Sequence, residues 1–101
     1  MSKYARKVDT NQADVIQWYQ DLGYEVINTS GAGNGFPDLI AVRKHGWGEN
    51  DPIYYDIIFI EVKRSKYAKY TQAQKEFNEK YPGLAVRVET VEDVMRSVQD
   101  A

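Results

Sequence analysis

Ile53 to Lys63 reads Ile-Tyr-Tyr-Asp-Ile-Ile-Phe-Ile-Glu-Val-Lys, and no other stretch limits so strongly what this chain can fold into. Tyr54, Tyr55, Ile57, Ile58, Phe59, Ile60 and Val62 are the β-branched and aromatic types that suit a pleated surface. A run that is apolar at nearly every position, not at alternate ones, predicts a central strand covered on both faces. Such a strand needs partners along its edges and a layer over each face, which the rest of the chain must supply.

The remaining sequence offers those parts. Val15, Ile16, Trp18, Tyr19 and Leu22 recur at helical spacing behind a cap at Thr10-Asn11, and Gly23 suits the position just past the helix end. Tyr24 to Asn28 reads as a short strand and Asp38 to Arg43 as another, separated by the glycine-rich Gly31-Ala-Gly-Asn-Gly-Phe-Pro37. Lys44 to Pro52 is a polar connection with Gly46 and Gly48. Thr71-Gln-Ala-Gln74 has the pattern of a capping box opening a helix that stops near Tyr81-Pro-Gly83. Leu84 to Val88 is a further strand, and Thr90 caps a last helix to about Val98. The predicted order is α-β-β-β-α-β-α, an α/β fold with a small mixed β-sheet flanked by helices. With 101 residues and no internal repeat or linker, residues 1–101 are expected to form a single domain.

The absence of cysteine excludes disulfides and thiolate metal sites and agrees with a cytoplasmic, intracellular setting. No apolar run approaches the roughly 20 residues of a membrane span, and the first seven residues lead into no signal-type apolar core. A net charge of −2 gives no global sign of nucleic-acid binding. Its distribution does: residues 61–80 carry Lys63, Arg64, Lys66, Lys69, Lys75 and Lys80 against Glu61, Glu76 and Glu79. A local basic patch on an acidic protein can meet phosphates, although a solvated helix face explains it as well.

Residues two apart on a strand share a face, so Glu61 and Lys63 project together, with Val62, Ile60 and Ile58 opposite. Two charged groups on a covered face are costly unless they are paired or bind a metal, and such a break in the local pattern marks a site. If the Asp38 strand lies beside this one, the two carboxylates converge. Paired carboxylates suit Mg²⁺, which keeps several waters and takes phosphate oxygens, and an adjacent ammonium can hold a phosphate or activate water. These parts describe metal-assisted hydrolysis of a phosphodiester. The plain alternative is that Glu61 and Lys63 neutralise each other at a strand end while Asp38 closes a turn.

In combination, Gly35-Phe-Pro-Asp38-Leu-Ile, Phe59-Ile-Glu61-Val-Lys63 and Thr71-Gln-Ala-Gln74-Lys-Glu-Phe77 resemble the PD-(D/E)XK nuclease superfamily. The best match is the small VRR-NUC type (virus-type replication-repair nuclease) of stand-alone phage proteins, with archaeal Holliday junction resolvases as more distant relatives. The resemblance spans about residues 11–90 and implies a restriction-endonuclease-like core. It also implies a Mg²⁺-dependent endonuclease, with Mn²⁺ able to substitute, acting on branched DNA such as Holliday junctions. By that resemblance Asp38, Glu61 and the backbone carbonyl of Val62 bind the metal, and Lys63 activates the attacking water. Gln74 helps to arrange the site, although its place in Thr-Gln-Ala-Gln fits a capping box equally. Relatives often carry a first-helix glutamate that completes the metal site. Gln12 stands there in this chain, so Gln12 or Asp14, through a water, are the candidates for a further ligand.

Gly33, Arg64, Lys66 and Lys69 are candidates for contacts to nucleic acid, the basic ones by neutralising phosphates beside the catalytic strand. Tyr67 and Tyr70 suit base stacking or packing, and Arg43 and Lys44 extend the patch or are merely solvated. Trp18, Tyr19 and Trp47 belong to core or interface, and His45, beside Gly46 at a hairpin tip, is not expected to act as base. A homodimer presenting two sites is expected, with the first-helix aromatics as one possible contact. Two other readings are a non-catalytic nucleic-acid-binding module on the nuclease fold and an RNA-cleaving nuclease. A Rossmann-type nucleotide binder fails, because Pro37 and a strand follow the glycines where phosphate binding needs a helix N-terminus.

Overall fold

The computed structural model describes residues 12–65 and 67–100. The predicted caps at Thr10 and Asn11, and Lys66, lie outside the described residues. Helix α1 is Gln12–Asp21, β1 Glu25–Asn28, β2 Leu39–His45, β3 Tyr54–Val62, α2 Gln72–Lys80, β4 Ala85–Val88 and α3 Val91–Asp100. The predicted order therefore holds, with element ends moved by a residue or two. A short 3-10 turn at Ser30–Ala32, inside the glycine-rich connection, was not anticipated.

The sheet runs β1-β2-β3-β4. β1, β2 and β3 form an antiparallel meander, and β4 returns through α2 to pair parallel with β3. Register assigns the faces: Leu39 lies opposite Ile60 and Ala41 opposite Ile58, while Val62 pairs with Val88. These side chains meet Val15 and Tyr19 of α1 and Val94 of α3 in one core cluster. Trp18 packs against its border, so α1 turns Trp18 and Tyr19 towards the core.

The second face is covered only in part. At its β4 end, Phe36, Phe59 and Phe77 meet edge to face, closing α2 onto the sheet. Towards β1 the side chains Ile27, Tyr55 and Ile57 are exposed, Ile57 by 53%. The expectation that β3 is covered on both faces thus holds only for its C-terminal half. A single nine-residue helix does not span four strands, and continuous apolarity did not reveal where the cover stops. Trp47 is 86% exposed and belongs to no core.

Within the core, the Tyr19 hydroxyl lies 2.6 Å from Ser97 Oγ, which donates to the Val94 carbonyl at 2.7 Å. This chain of bonds ties α1 to α3. Tyr19→Phe keeps the ring and removes one buried hydrogen bond, so urea unfolding should report a loss of about 1 kcal/mol. Activity should be unaffected, because this face of the sheet is opposite the candidate site.

Candidate metal and phosphodiester site

Asp38 is held by its backbone before its side chain is considered. Its N–H donates to Ile60 O at 2.9 Å, and its carbonyl accepts from Thr29 N at 2.8 Å. Thr29 Oγ1 also donates to the Pro37 carbonyl at 2.7 Å, and Pro37 is fully buried. Asp38 therefore continues the β1–β2–β3 ladder one residue before β2 begins. Its Oδ2 accepts the Val62 N–H at 2.8 Å, which turns the carboxylate towards the end of β3.

Glu61 and Lys63 share the second face there, as the period of two predicts, and both are buried, exposed by 3% and 8%. Burial is the main cause that pushes Glu61 up to about 7. The Asp38 charge adds to it, followed by a hydrogen bond between the two carboxyl groups, while Lys63 and Arg87 pull the other way. The carboxyls are thus adjacent, as the sequence suggested.

Gln74 occupies the centre of the arrangement. Its Nε2 donates to Glu61 Oε1 at 3.0 Å, and its Oε1 accepts from Lys63 Nζ at 2.8 Å. The same Oε1 accepts the Thr71 N–H at 2.9 Å, while Thr71 Oγ1 accepts the Gln74 N–H at 3.1 Å. The two readings of Gln74, cap and site, are one structure: the capping box that starts α2 also bridges the acid and the ammonium. Lys63 Nζ donates further to the Lys69 carbonyl at 3.3 Å and lies 5.0 Å from the centre of the Tyr70 ring.

Arg87 was not among the sequence candidates. It pairs with Glu61 across the parallel ladder and donates through one guanidinium nitrogen to the carbonyls of Ser65 and Ala68, at 3.1 and 2.7 Å. Its Nε meets Glu89 at 2.6 Å, and its guanidinium lies 5.2 Å from the Tyr70 ring centre. The basic connection after β3 is pinned by these bonds. Tyr70 is consequently a packed ring between two cations, whereas Tyr67 is exposed. An arginine between Val86 and Val88 in a strand was the signal available in the sequence.

The glycine-rich loop docks on α2 at Gly35. Gly35 has φ +77° and abuts the Ala73 carbonyl so closely that a Cβ would lie 2.1 Å from that oxygen. Its freedom serves contact with α2, not approach of a ligand. Gly33 does face open space, with nothing within 4 Å of where a Cβ would be.

Among the described residues no group of three His, Cys, Asp or Glu side chains is placed to hold a metal ion. Asp14 is exposed on the first turn of α1, the helix packed on the opposite face, and does not complete a three-carboxylate set. Gln12, the other candidate, starts the same helix. Arg64 and Lys69 are exposed beside the site. Arg43 is drawn away from the patch: it bonds Asp56 at 3.0 Å and lies over Tyr24, at the other end of the β2–β3 ladder. His45 is there too, 2.7 Å from Asp56 and stacked on Tyr54. It stands at the opposite end of β2 from Asp38.

The donor set fits a hard dication. Two adjacent carboxyls, of which Glu61 has a pKa raised by burial and by the Asp38 charge, are oxygen ligands whose mutual repulsion a divalent cation relieves, and Mg²⁺ needs only one or two of them. No protein-family model matches the chain, and comparison with curated proteins and with solved structures likewise finds no significant match.

The raised Glu61 pKa predicts a pH dependence. In the metal-free protein the folded state holds this proton more tightly than the unfolded state, whose carboxyl titrates near 4.5. The resulting stability is present in full below pH 4.5 and is lost as pH rises to about 7. Urea unfolding should show a decline on the order of 1–3 kcal/mol across that window. Mg²⁺ should offset the decline most strongly above it.

Proposed function

We propose that this chain is a divalent-metal-dependent nuclease that hydrolyses phosphodiester bonds in DNA, on the PD-(D/E)XK pattern. The observation that carries the reading is the Asp38–Glu61 carboxyl pair joined to buried Lys63 through Gln74. Asp38 and Glu61 would hold Mg²⁺ or Mn²⁺, with the Val62 carbonyl as a further oxygen. When bound, such an ion polarises the phosphate and lowers the pKa of bound water. Lys63, fixed by Gln74 and the Lys69 carbonyl, would stabilise the negative charge that develops on the phosphate oxygens. Arg64, Lys66 and Lys69 contribute phosphate contacts that orient the strand without reading its sequence.

The substrate proposed is branched DNA, including four-way junctions, in the cytoplasm of a host cell. Two cuts across a symmetric junction call for a homodimer. The open apolar sheet face around Ile27, Tyr55 and Ile57 replaces the first helix as its candidate contact.

Labelled four-way junction, flap, duplex and single-stranded DNA, and RNA, should be incubated with Mg²⁺ or Mn²⁺. Cleavage of branched DNA, lost on chelation and reduced about 10²–10³-fold by Lys63→Ala, is the expected result. Binding without cleavage under every condition would favour a non-catalytic module, and preferential cutting of RNA would reassign the substrate.

A further inference from the structure

Beside the carboxyl pair, the glycine-rich loop and α2 enclose an open cleft of about 400 Å³. That volume lies within the roughly 300–1,000 Å³ typical of small-ligand clefts. Its floor is a row of aromatic rings. Phe36 meets Phe77 edge to face at 5.7 Å between centroids, and Phe77 meets Tyr81 at 5.0 Å. Its walls carry Asn34, Glu76 and Lys80. Tyr81 is 43% exposed, and Lys80 Nζ lies 5.5 Å from the centre of its ring.

The cleft is joined to the site by the chain itself. Phe36 is two residues before Asp38, and Ala73, which lines the cleft, precedes Gln74. The close Gly35–Ala73 contact is the partition between them. The cleft therefore adjoins the two segments that carry Asp38 and Gln74.

We infer that this cleft receives an unpaired nucleobase of the strand being cut, an inference that rests on the nuclease reading. An aromatic floor takes the π-face of any base, the Asn34 amide and Glu76 carboxylate suit the donor groups on the polar edge of a base, and the Lys80 ammonium suits the adjoining phosphate. A base within a duplex is stacked and paired and cannot enter. The cleft therefore selects DNA with unpaired nucleotides next to the scissile bond, at branch points, flaps and bulges, over intact duplex.

The test uses the full chain carrying Asp38→Asn, so that binding is followed without cutting, and a duplex with a short flap. The unpaired nucleotide at the branch is either 2-aminopurine or abasic. Binding should quench the 2-aminopurine several-fold, and the abasic flap should bind roughly tenfold more weakly. Tyr81→Ala should remove both effects. Tyr81→Leu, which keeps an apolar side chain at this helix end, should do the same with an unchanged melting transition. In the active chain, either substitution should lower the ratio of flap to duplex cleavage. Unchanged 2-aminopurine emission together with equal affinity for the two flaps overturns the inference, and if the wild type still cuts DNA the nuclease reading survives. Quenching by a wild type that cuts nothing keeps the base cleft and removes the nuclease.

Discussion

Asp38→Asn is expected to reduce metal-dependent cleavage by at least about 10³-fold while leaving the metal-free protein more stable at alkaline pH than the wild type. Both outcomes follow from one carboxylate. The amide oxygen of asparagine can still accept the Val62 N–H, so the strand geometry persists. The charge beside Glu61 is gone, and with it the second largest cause of that group's raised pKa. Glu61 then ionises more readily in the folded state, and the loss of stability between pH 4.5 and about 7 should shrink. Cleavage assays and urea unfolding at the two ends of that window measure the two effects on the same preparation. Undiminished cleavage would remove Asp38 from the metal site. An unchanged pH dependence would mean that burial alone raises Glu61.

Gln74→Ala should be the most destabilising of the substitutions considered, by about 2–4 kcal/mol. It removes one hydrogen bond to a buried carboxyl, one to a buried ammonium, and half of the box that starts α2. For a domain of this size the melting temperature should fall on the order of 10–20 °C. Gln74→Glu distinguishes cap from site. It retains an acceptor for the Thr71 N–H and for Lys63 but has no amide to donate to Glu61, and it brings a third carboxyl to the pair. Stability of Gln74→Glu should therefore drop further as pH rises, and Mg²⁺ should restore it. Equal stability of wild type and Gln74→Ala would show that the bridge contributes nothing net.

Much of this arrangement was legible because it depends on local periodicity. β3 was recognisable from its composition, and alternation along it placed Glu61 and Lys63 on one face and Ile58, Ile60 and Val62 on the other. Thr71 and Gln74 announced the start of α2 through the chemistry of capping. The convergence of Asp38 with Glu61 was conditional on strand pairing, and the ladder meets that condition. What could not be read is set by distant contacts. Nothing in the spacing of Gly35 says that it must touch Ala73. Arg87 takes its place from a parallel crossover that brings it opposite Glu61. The extent of cover on the second face depends on the length of α2 and on where the loop docks, not on the apolarity of β3. Trp18 and Tyr19 carry no mark that separates core from interface.

The sharing of Gln74 between helix cap and site has a consequence for motion. The first turn of a helix is where fraying begins, and local openings of this kind require far less free energy than global unfolding. Here, breaking the Thr71–Gln74 bonds also releases the bridge between Glu61 and Lys63. Opening of the turn and disassembly of the acid–ammonium constellation are therefore one event. Amide exchange at Gln74, whose N–H is held by Thr71 Oγ1, reads how often the constellation comes apart.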